Sequence, residues 1–119
     1  MAEPARLSHE AAEVIKNPSN RIHVSPVSFW EISLKYSLGK LKLMGKRPDD
    51  LPKALPILGF EVLSLTPEIA SSFHRLPRLE HKDPFDRMLV WQAIQSRFTL
   101  ISADHQLQQY ARSGLRLLW

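Results

Sequence analysis

Cysteine is absent from this sequence of 119 residues, and glycine occurs only four times. Without cysteine there is no disulfide framework, no thiolate nucleophile and no Cys-containing zinc or iron–sulfur site. The scattered glycines form no glycine-rich phosphate-binding loop, which argues against dinucleotide-binding and P-loop chemistry. Any metal ion must therefore be held by oxygen atoms or imidazole nitrogens.

Long apolar runs are missing as well. No segment approaches the length of a membrane span, and the N-terminus lacks the basic flank and apolar core of a signal peptide. We therefore predict a cytoplasmic protein that does not associate with membranes. The length corresponds to a single domain over residues 1–119, large enough to bury a core without disulfides.

The charge balance is modestly basic. Sixteen Lys and Arg residues against 12 Asp and Glu residues give a formal net charge of +4, which suits a polyanionic partner. One local cluster of basic residues contains Lys40, Lys42, Lys46 and Arg47. A solvated loop is the commoner explanation of such a cluster, and contact with nucleic acid is the alternative.

Segments with helical and strand-like patterns alternate along the chain. Predicted helices begin at capping residues or early prolines. They lie at about 9–16, 26–38, 51–58, 67–73, from 84 onwards, and 105–111. Predicted strands lie at 21–25, 60–65, 99–102 and 115–119. Strands separated by helices predict a parallel sheet with flanking helices, and hence a three-layer α/β fold.

The segment from His81 to Asp104 carries the most information about function. Asp83 before Pro84 is typical of a helix N-cap, and a predicted buried helix leads into a predicted buried strand at 99–102. Asp86 falls in the first helical turn, and Asp104 falls just past the carboxyl end of the strand, where open α/β sheets bind ligands. Two carboxylates there can share one metal ion, although helix capping alone also explains each aspartate.

A third acid, Glu31, lies inside an apolar helical segment that follows the predicted strand at 21–25. A capping box that begins at Ser28 explains this glutamate as well as a ligand role does. None of the five histidines has a neighbour at a metal-ligand spacing such as i and i+4, and none is predicted to be catalytic.

Several motifs together resemble the PIN-domain family. They are VSPVSFWEISLKYSLGKL at 24–41, LGFEVLSLTPE at 58–68, HKDPFDRMLVWQA at 81–93, LISADHQLQQY at 100–110 and LLW at 117–119. More narrowly, their order resembles that of the VapC-type ribonuclease toxins of bacterial type II toxin–antitoxin pairs, over about residues 7–119.

This resemblance implies a PIN-like fold and an endoribonuclease in which clustered acids hold Mg²⁺ or Mn²⁺ beside the scissile phosphate. Matched motif by motif, Glu31, Asp86 and Asp104 are the implied catalytic and metal-binding residues, and Asp83 is a secondary metal candidate. Ser102 is a candidate for positioning a ligand, with strand packing as the alternative. The implied partners are an RNA substrate, a cognate antitoxin and a second copy of the chain in a homodimer.

The sequence departs from the family pattern at its N-terminus. Such proteins begin with an apolar strand that runs into an Asp-Thr-His-like motif, and this chain starts after the place where that motif is expected. Residues 1–7 are a poor substitute because they are short, polar and interrupted by Pro4. We therefore expect the central first strand and the first catalytic aspartate to be missing, with a gap of roughly 9 to 10 Å between the strands at 21–25 and 99–102. A start codon further upstream and a decayed toxin gene are the two explanations.

Two other functions stay open. A catalytically dead or weakened PIN remnant would only bind an antitoxin, whose C-terminal segment in this family lies across apolar helix surface near the acids. Phe29, Trp30 and Leu38 are candidates for that surface, although core packing is the commoner role of such residues. An unrelated phosphoacceptor module is disfavoured because the late strands carry no lysine after Lys82.

Overall fold

The computed structural model describes residues 8–119 and combines short parallel strands with helices. The α-helices are α1 (His9–Lys16), α2 (Pro26–Ser37), α3 (Leu51–Ile57), α4 (Pro67–Ser71) and α5 (Pro84–Ser96). The strands are β1 (His23–Val24), β2 (Glu61–Val62), β3 (Thr99–Ile101) and β4 (Arg116–Leu118), and 3-10 helices span Pro48–Asp50, Phe73–Arg75 and His105–Ser113. The predicted order of elements is confirmed from residue 8 onwards, and the prediction for residues 1–7 lies outside the described residues. None of the helices in this part of the chain combines the length and the apolar character that crossing a membrane requires.

The strands form two parallel pairs, which confirms the predicted parallel arrangement. β1 pairs with β2, with His23 opposite Glu61, and β3 pairs with β4, with Leu100 opposite Leu117. Within residues 8–119 the two pairs are separate sheets. The rings of His23, at the start of β1, and Phe98, just before β3, contact each other with centroids 4.8 Å apart. Side-chain contact thus bridges the two pairs.

Helix α5 runs through the hydrophobic core, as the sequence predicts. The core cluster consists of Leu76, Val90, Trp91, Ala93, Leu107, Tyr110 and Leu115. The prediction that the following strand is buried is wrong, because Thr99 is exposed while Leu100 and Ile101 are half-buried. In the described chain β3 has a hydrogen-bonded neighbour, β4, along one edge only, so it is less covered than a central strand.

Two polar side chains fix α5 against the surrounding backbone. The indole Nε1–H of Trp91 donates to the carbonyl oxygen of Ile69 at 3.1 Å and to the hydroxyl of Ser72 at 3.2 Å. The buried amide of Gln92 donates to the carbonyl oxygens of residues 63 and 64, both at 3.3 Å. These bonds satisfy carbonyl groups of α4 and of the segment between β2 and α4, and they hold α5 against both.

Helix α2 begins at an N-cap that differs from the predicted capping box. The hydroxyl of Ser25 accepts the N–H of Val27 at 3.1 Å, so the capping residue lies three positions before Ser28. Pro26 at the first helical position suits this start because its missing N–H would have no partner in the helix. Glu31 therefore lies in the second turn, and the capping-box explanation of this glutamate is wrong.

Candidate metal centre

Two predicted site residues lie at the start of α5, and they have different surroundings. Asp83 is the N-cap, and its Oδ1 accepts the N–H groups of Phe85 at 2.9 Å and Asp86 at 3.3 Å. Asp86 lies in the first turn and is partly buried. The capping prediction for Asp83 is confirmed, and its capping oxygen is committed to the helix backbone.

Asp104 lies just after β3, at the start of the last 3-10 helix. Its Oδ1 accepts the N–H of Gln106 at 2.9 Å, and its own N–H donates to the hydroxyl of Ser102 at 3.1 Å. Both contacts hold the Asp104 backbone and carboxylate in a fixed turn. The other carboxylate oxygen of Asp104, Oδ2, takes no part in the helix cap and lies 3.9 Å from Nε2 of His81.

His81 brings the two aspartates together. Its Nε2 is 3.0 Å from Asp86 Oδ2 and 3.9 Å from Asp104 Oδ2. One donor atom from each of these three residues lies within 4.8 Å of the other two, a grouping that can hold a metal ion. We call these three residues the His81 cluster. Sequence reasoning found both aspartates and missed the histidine, because His81 lies in a loop where spacing along the chain does not predict contacts.

The electrostatics of the His81 cluster reflect crowded acids in a partly buried setting. Burial raises the pKa of the Asp86 carboxyl, the hydrogen bond from His81 opposes that rise, and the negative charges of Asp83 and Glu31 add to it. Burial alone would lower the pKa of His81, but hydrogen bonds to Asp86 and Gln106 and the charges of Asp86 and Asp104 outweigh it and raise that pKa. Both shifts indicate a place where added positive charge is favourable.

Glu31 lies near this cluster and pairs with a different residue. Its Oε2 is 2.9 Å from Nζ of Lys35, one turn further along α2. Its charge still raises the pKa of Asp86, which shows that the two carboxylates are close enough to repel each other. The structure thus joins Asp86 and Asp104 through His81, and it places Glu31 at the margin in an ion pair.

Helix α2 also presents apolar side chains beside the site. Trp30 is 66% exposed and Leu38 is 58% exposed, while Phe29 is half-buried. The Trp30 ring meets the edge of Phe85, the residue before Asp86, with centroids 4.8 Å apart. Two of the three residues proposed for an apolar binding surface are therefore on the surface, and one of them touches the first turn of α5.

An open depression adjoins the chain segments that carry His81 and Asp104. Its volume is about 940 Å³, and it is lined by Arg78, Leu79, Glu80, His105, Gln106 and Gln109. A second depression, of about 410 Å³, lies along residues 41–47 and includes Lys42, Lys46 and Arg47. The second depression is lined by three basic side chains, whereas the first has one arginine and one glutamate.

Fold and site together define a small α/β protein with a candidate metal centre built from two aspartates and one histidine. The PIN domain model of protein families matches residues 3–113, and the chain therefore belongs to the PIN domain family. The chain is also 24% identical, over 126 aligned residues, to a protein named Ribonuclease VapC22 of Mycobacterium tuberculosis (strain ATCC 25618 / H37Rv). The alignment covers 99% of this chain and 88% of that relative. The predicted family and fold class are confirmed.

Proposed function

We propose that this protein is a Mg²⁺- or Mn²⁺-dependent endoribonuclease, the toxin of a type II toxin–antitoxin pair. Membership of the PIN domain family and the similarity to a protein named as a ribonuclease support this proposal. The observation that carries it is the convergence of Asp86 and Asp104 on one point, with donor atoms within 4.8 Å of each other and of His81. The predicted homodimer and cytoplasmic location stay predictions.

The residues present fit a hard divalent cation. Carboxylate oxygens are the protein ligands that Mg²⁺ and Mn²⁺ accept most readily. In this proposal Asp86 and Asp104 hold the ion, and Glu31 joins them when it leaves Lys35. When bound, such an ion supplies an activated water and offsets the charge that develops on the phosphate oxygens.

The protein's own groups position the substrate. Arg78 lines the depression beside the His81 cluster and offers a planar cation for a phosphate group. Lys42 and Lys46, in the loop after α2, extend positive charge along the surface. These contacts read the phosphate backbone and not the bases, so they fix the place of the RNA strand without selecting its sequence.

Cleavage of labelled single-stranded RNA by purified protein tests this proposal. We expect cleavage with Mn²⁺ or Mg²⁺, none with EDTA, and none by Asp86→Asn. Asp83→Asn is the matched control, because asparagine also caps helices and the substitution removes one negative charge from the same turn. Undiminished cleavage by Asp86→Asn would overturn the assignment of the site.

A second candidate is an antitoxin-binding protein that does not cleave RNA. The exposed apolar side chains of Trp30, Leu34 and Leu38 favour it, because α2 presents them next to the acids. An antitoxin segment with matching apolar residues would bury them. We expect the antitoxin encoded beside this gene to co-purify with wild-type protein and not with a Trp30→Ser, Leu38→Ser double variant. Binding without cleavage would select this candidate over the ribonuclease.

A further inference from the structure

The imidazole of His81 is held between two carboxylates at the centre of the candidate site. Its side chain is only 9% exposed, although the residue lies in a loop before α5. Nε2 faces Oδ2 of Asp86 at 3.0 Å and Oδ2 of Asp104 at 3.9 Å. The family resemblance assigns roles to acids alone, so this histidine has no function in the proposed ribonuclease so far.

The second ring nitrogen of His81 has a partner that sets the tautomer. Nδ1 is 3.3 Å from Oε1 of Gln106, and an amide oxygen can only accept a hydrogen bond. Nδ1 therefore carries a hydrogen. Nε2 hydrogen-bonds Asp86 in the metal-free protein, and it presents its lone pair to a cation once its own proton has left. Three electron-rich atoms facing one another are the donor arrangement of a cation site, and outer hydrogen bonds of this kind orient histidine ligands.

The position of His81 is also fixed through its backbone. The hydroxyl of the fully buried Tyr110 lies 3.5 Å from the carbonyl oxygen of His81, within reach as a hydrogen-bond donor. Gln106 and Tyr110 both belong to the 3-10 helix that Asp104 caps. The same helix thus holds the ring, the backbone and one of the two carboxylates, so that His81 and Asp104 keep their mutual distance.

We propose that His81 binds the divalent ion directly through Nε2, as a third ligand beside Asp86 and Asp104. This inference rests on the proposed function and deepens it. Adjacent ligands about 2.1 Å from an octahedral ion are roughly 3.0 Å apart, and opposite ones roughly 4.2 Å. The distances of 3.0 and 3.9 Å from Nε2 fall in that range, and the two carboxylate oxygens, within 4.8 Å of each other, need only a small approach to complete it.

A nitrogen ligand changes which ion the site prefers. Imidazole suits transition metals, whereas Mg²⁺ prefers oxygen ligands and its own waters. Mn²⁺ accepts both oxygen and nitrogen. We therefore expect the ratio of Mn²⁺ to Mg²⁺ affinity to depend on His81, and to fall when the imidazole is replaced by an amide.

Pulsed electron paramagnetic resonance of bound Mn²⁺ tests the ligation without an activity assay. The full chain is labelled with ¹⁵N-histidine, loaded with one equivalent of Mn²⁺, and studied by electron spin echo envelope modulation. We expect a ¹⁵N coupling in wild-type protein, loss of that coupling in His81→Gln, and its retention in His74→Gln, which removes an exposed histidine. Mn²⁺ affinity, measured by calorimetry, should fall by roughly tenfold or more in His81→Gln, and Mg²⁺ affinity by less.

The outcomes separate this inference from the function on which it rests. Bound Mn²⁺ without any ¹⁵N coupling would overturn the role of His81, while RNA cleavage and its loss in Asp86→Asn would stand on their own test. Absence of bound Mn²⁺ in the wild-type chain would overturn the metal centre as a whole. The wild-type spectrum decides between ligation and no ligation even where a His81 variant fails to fold.

Discussion

The carboxylate of Glu31 and the ammonium of Lys35 form an ion pair on α2, with Oε2 and Nζ 2.9 Å apart. The glutamate side chain is 17% exposed, and the hydrogen bond that it accepts from Lys35 is the main reason that the pKa of Lys35 is raised. Asp83 and Asp86 contribute further negative charge around the same ammonium. In the proposed metal centre, Lys35 would therefore compete with the ion for the Glu31 carboxylate.

Removal of Lys35 should strengthen metal binding. Lys35→Met frees Glu31 and removes a positive charge beside the acids, so we expect Mn²⁺ affinity to rise about two- to fivefold, the equivalent of an exposed ion pair. Calorimetric titration measures the change. Lys40→Met, in the loop after α2, is the control, and adding Glu31→Gln to Lys35→Met should cancel most of the gain. Unchanged affinity in Lys35→Met would show that Glu31 has no part in the site.

Substitution of Asp83 should affect stability and spare catalysis. Asp83→Ala removes the acceptor for two helix N–H groups and should lower the free energy of unfolding by about 1 kcal/mol. Asp83→Ser keeps a cap and should be close to wild type. Urea denaturation measures the free energy of unfolding of each variant, and an RNA cleavage assay measures its activity. If Asp83→Ser folds normally and loses all cleavage, the carboxylate is a ligand and not merely a cap.

The two tryptophans Trp30 and Trp91 should respond differently to the same substitution. Trp91→Phe leaves the Ile69 carbonyl and the Ser72 hydroxyl without the indole donor, and we expect a loss of about 1 to 2 kcal/mol in the free energy of unfolding. Trp30→Phe, at an exposed position, should change it by less than about 0.5 kcal/mol. Thermal and urea denaturation of both variants check the difference. Equal losses would contradict the assigned packing of α5.

The stability of the metal-free protein should depend on pH through His81. Its folded pKa lies above the ordinary value of 6.5, so the stabilisation is fully present below pH 6.5 and is lost as pH rises through the raised folded pKa. The raised pKa of Asp86 acts in the same direction at lower pH, since protonation is again favoured in the folded state. Urea midpoints in EDTA should thus fall from about pH 6 to about pH 8, and less so in His81→Gln. A midpoint that rises over this interval would contradict the prediction.

The basic loop after α2 should contribute to RNA affinity independently of base sequence. Lys42→Gln with Lys46→Gln should weaken binding of single-stranded RNA to a similar degree for all sequences, and should reduce the salt slope by about 0.7 for each phosphate that the protein no longer neutralises. Binding titrations at several salt concentrations, made in EDTA to prevent cleavage, measure both effects. Lys16→Gln with Lys53→Gln carries the same charge change outside the loop and is the control. If the two double variants lost RNA affinity equally, the loss would be explained by the change in net charge, and the loop would have no specific part in binding.

The features that the sequence predicts well are those decided within a few residues. The N-cap at Asp83, the start of α5 at Pro84 and the turn after β3 at Asp104 follow from local hydrogen bonding and fixed backbone angles. The start of α2 at Pro26 is predicted as well, whereas the alternative capping box at Ser28 is wrong because the hydroxyl of Ser25 caps this helix.

The parts that the sequence does not predict depend on long-range contacts. His81 meets Gln106 across 25 positions, and no periodicity along the chain encodes that contact. The HKDPFD motif offers the only local hint, since a histidine just before a capped helix can fold back over its first turn. Exposure of Trp30 and Leu38 is equally beyond local reasoning, because an apolar helix face becomes core or surface according to what packs on it.

The division of the strands into two pairs has a mechanical consequence for the site. Glu31 follows β1 on α2, whereas Asp86 lies in the first turn of α5 and Asp104 follows β3. Within residues 8–119 no ladder of backbone hydrogen bonds ties β1 to β3, so the two halves meet through packed side chains such as those of Trp30 and Phe85. Packed helices move by shear, sliding a short way along each other. A shear of α2 along α5 would change the distance from Glu31 to the other two acids.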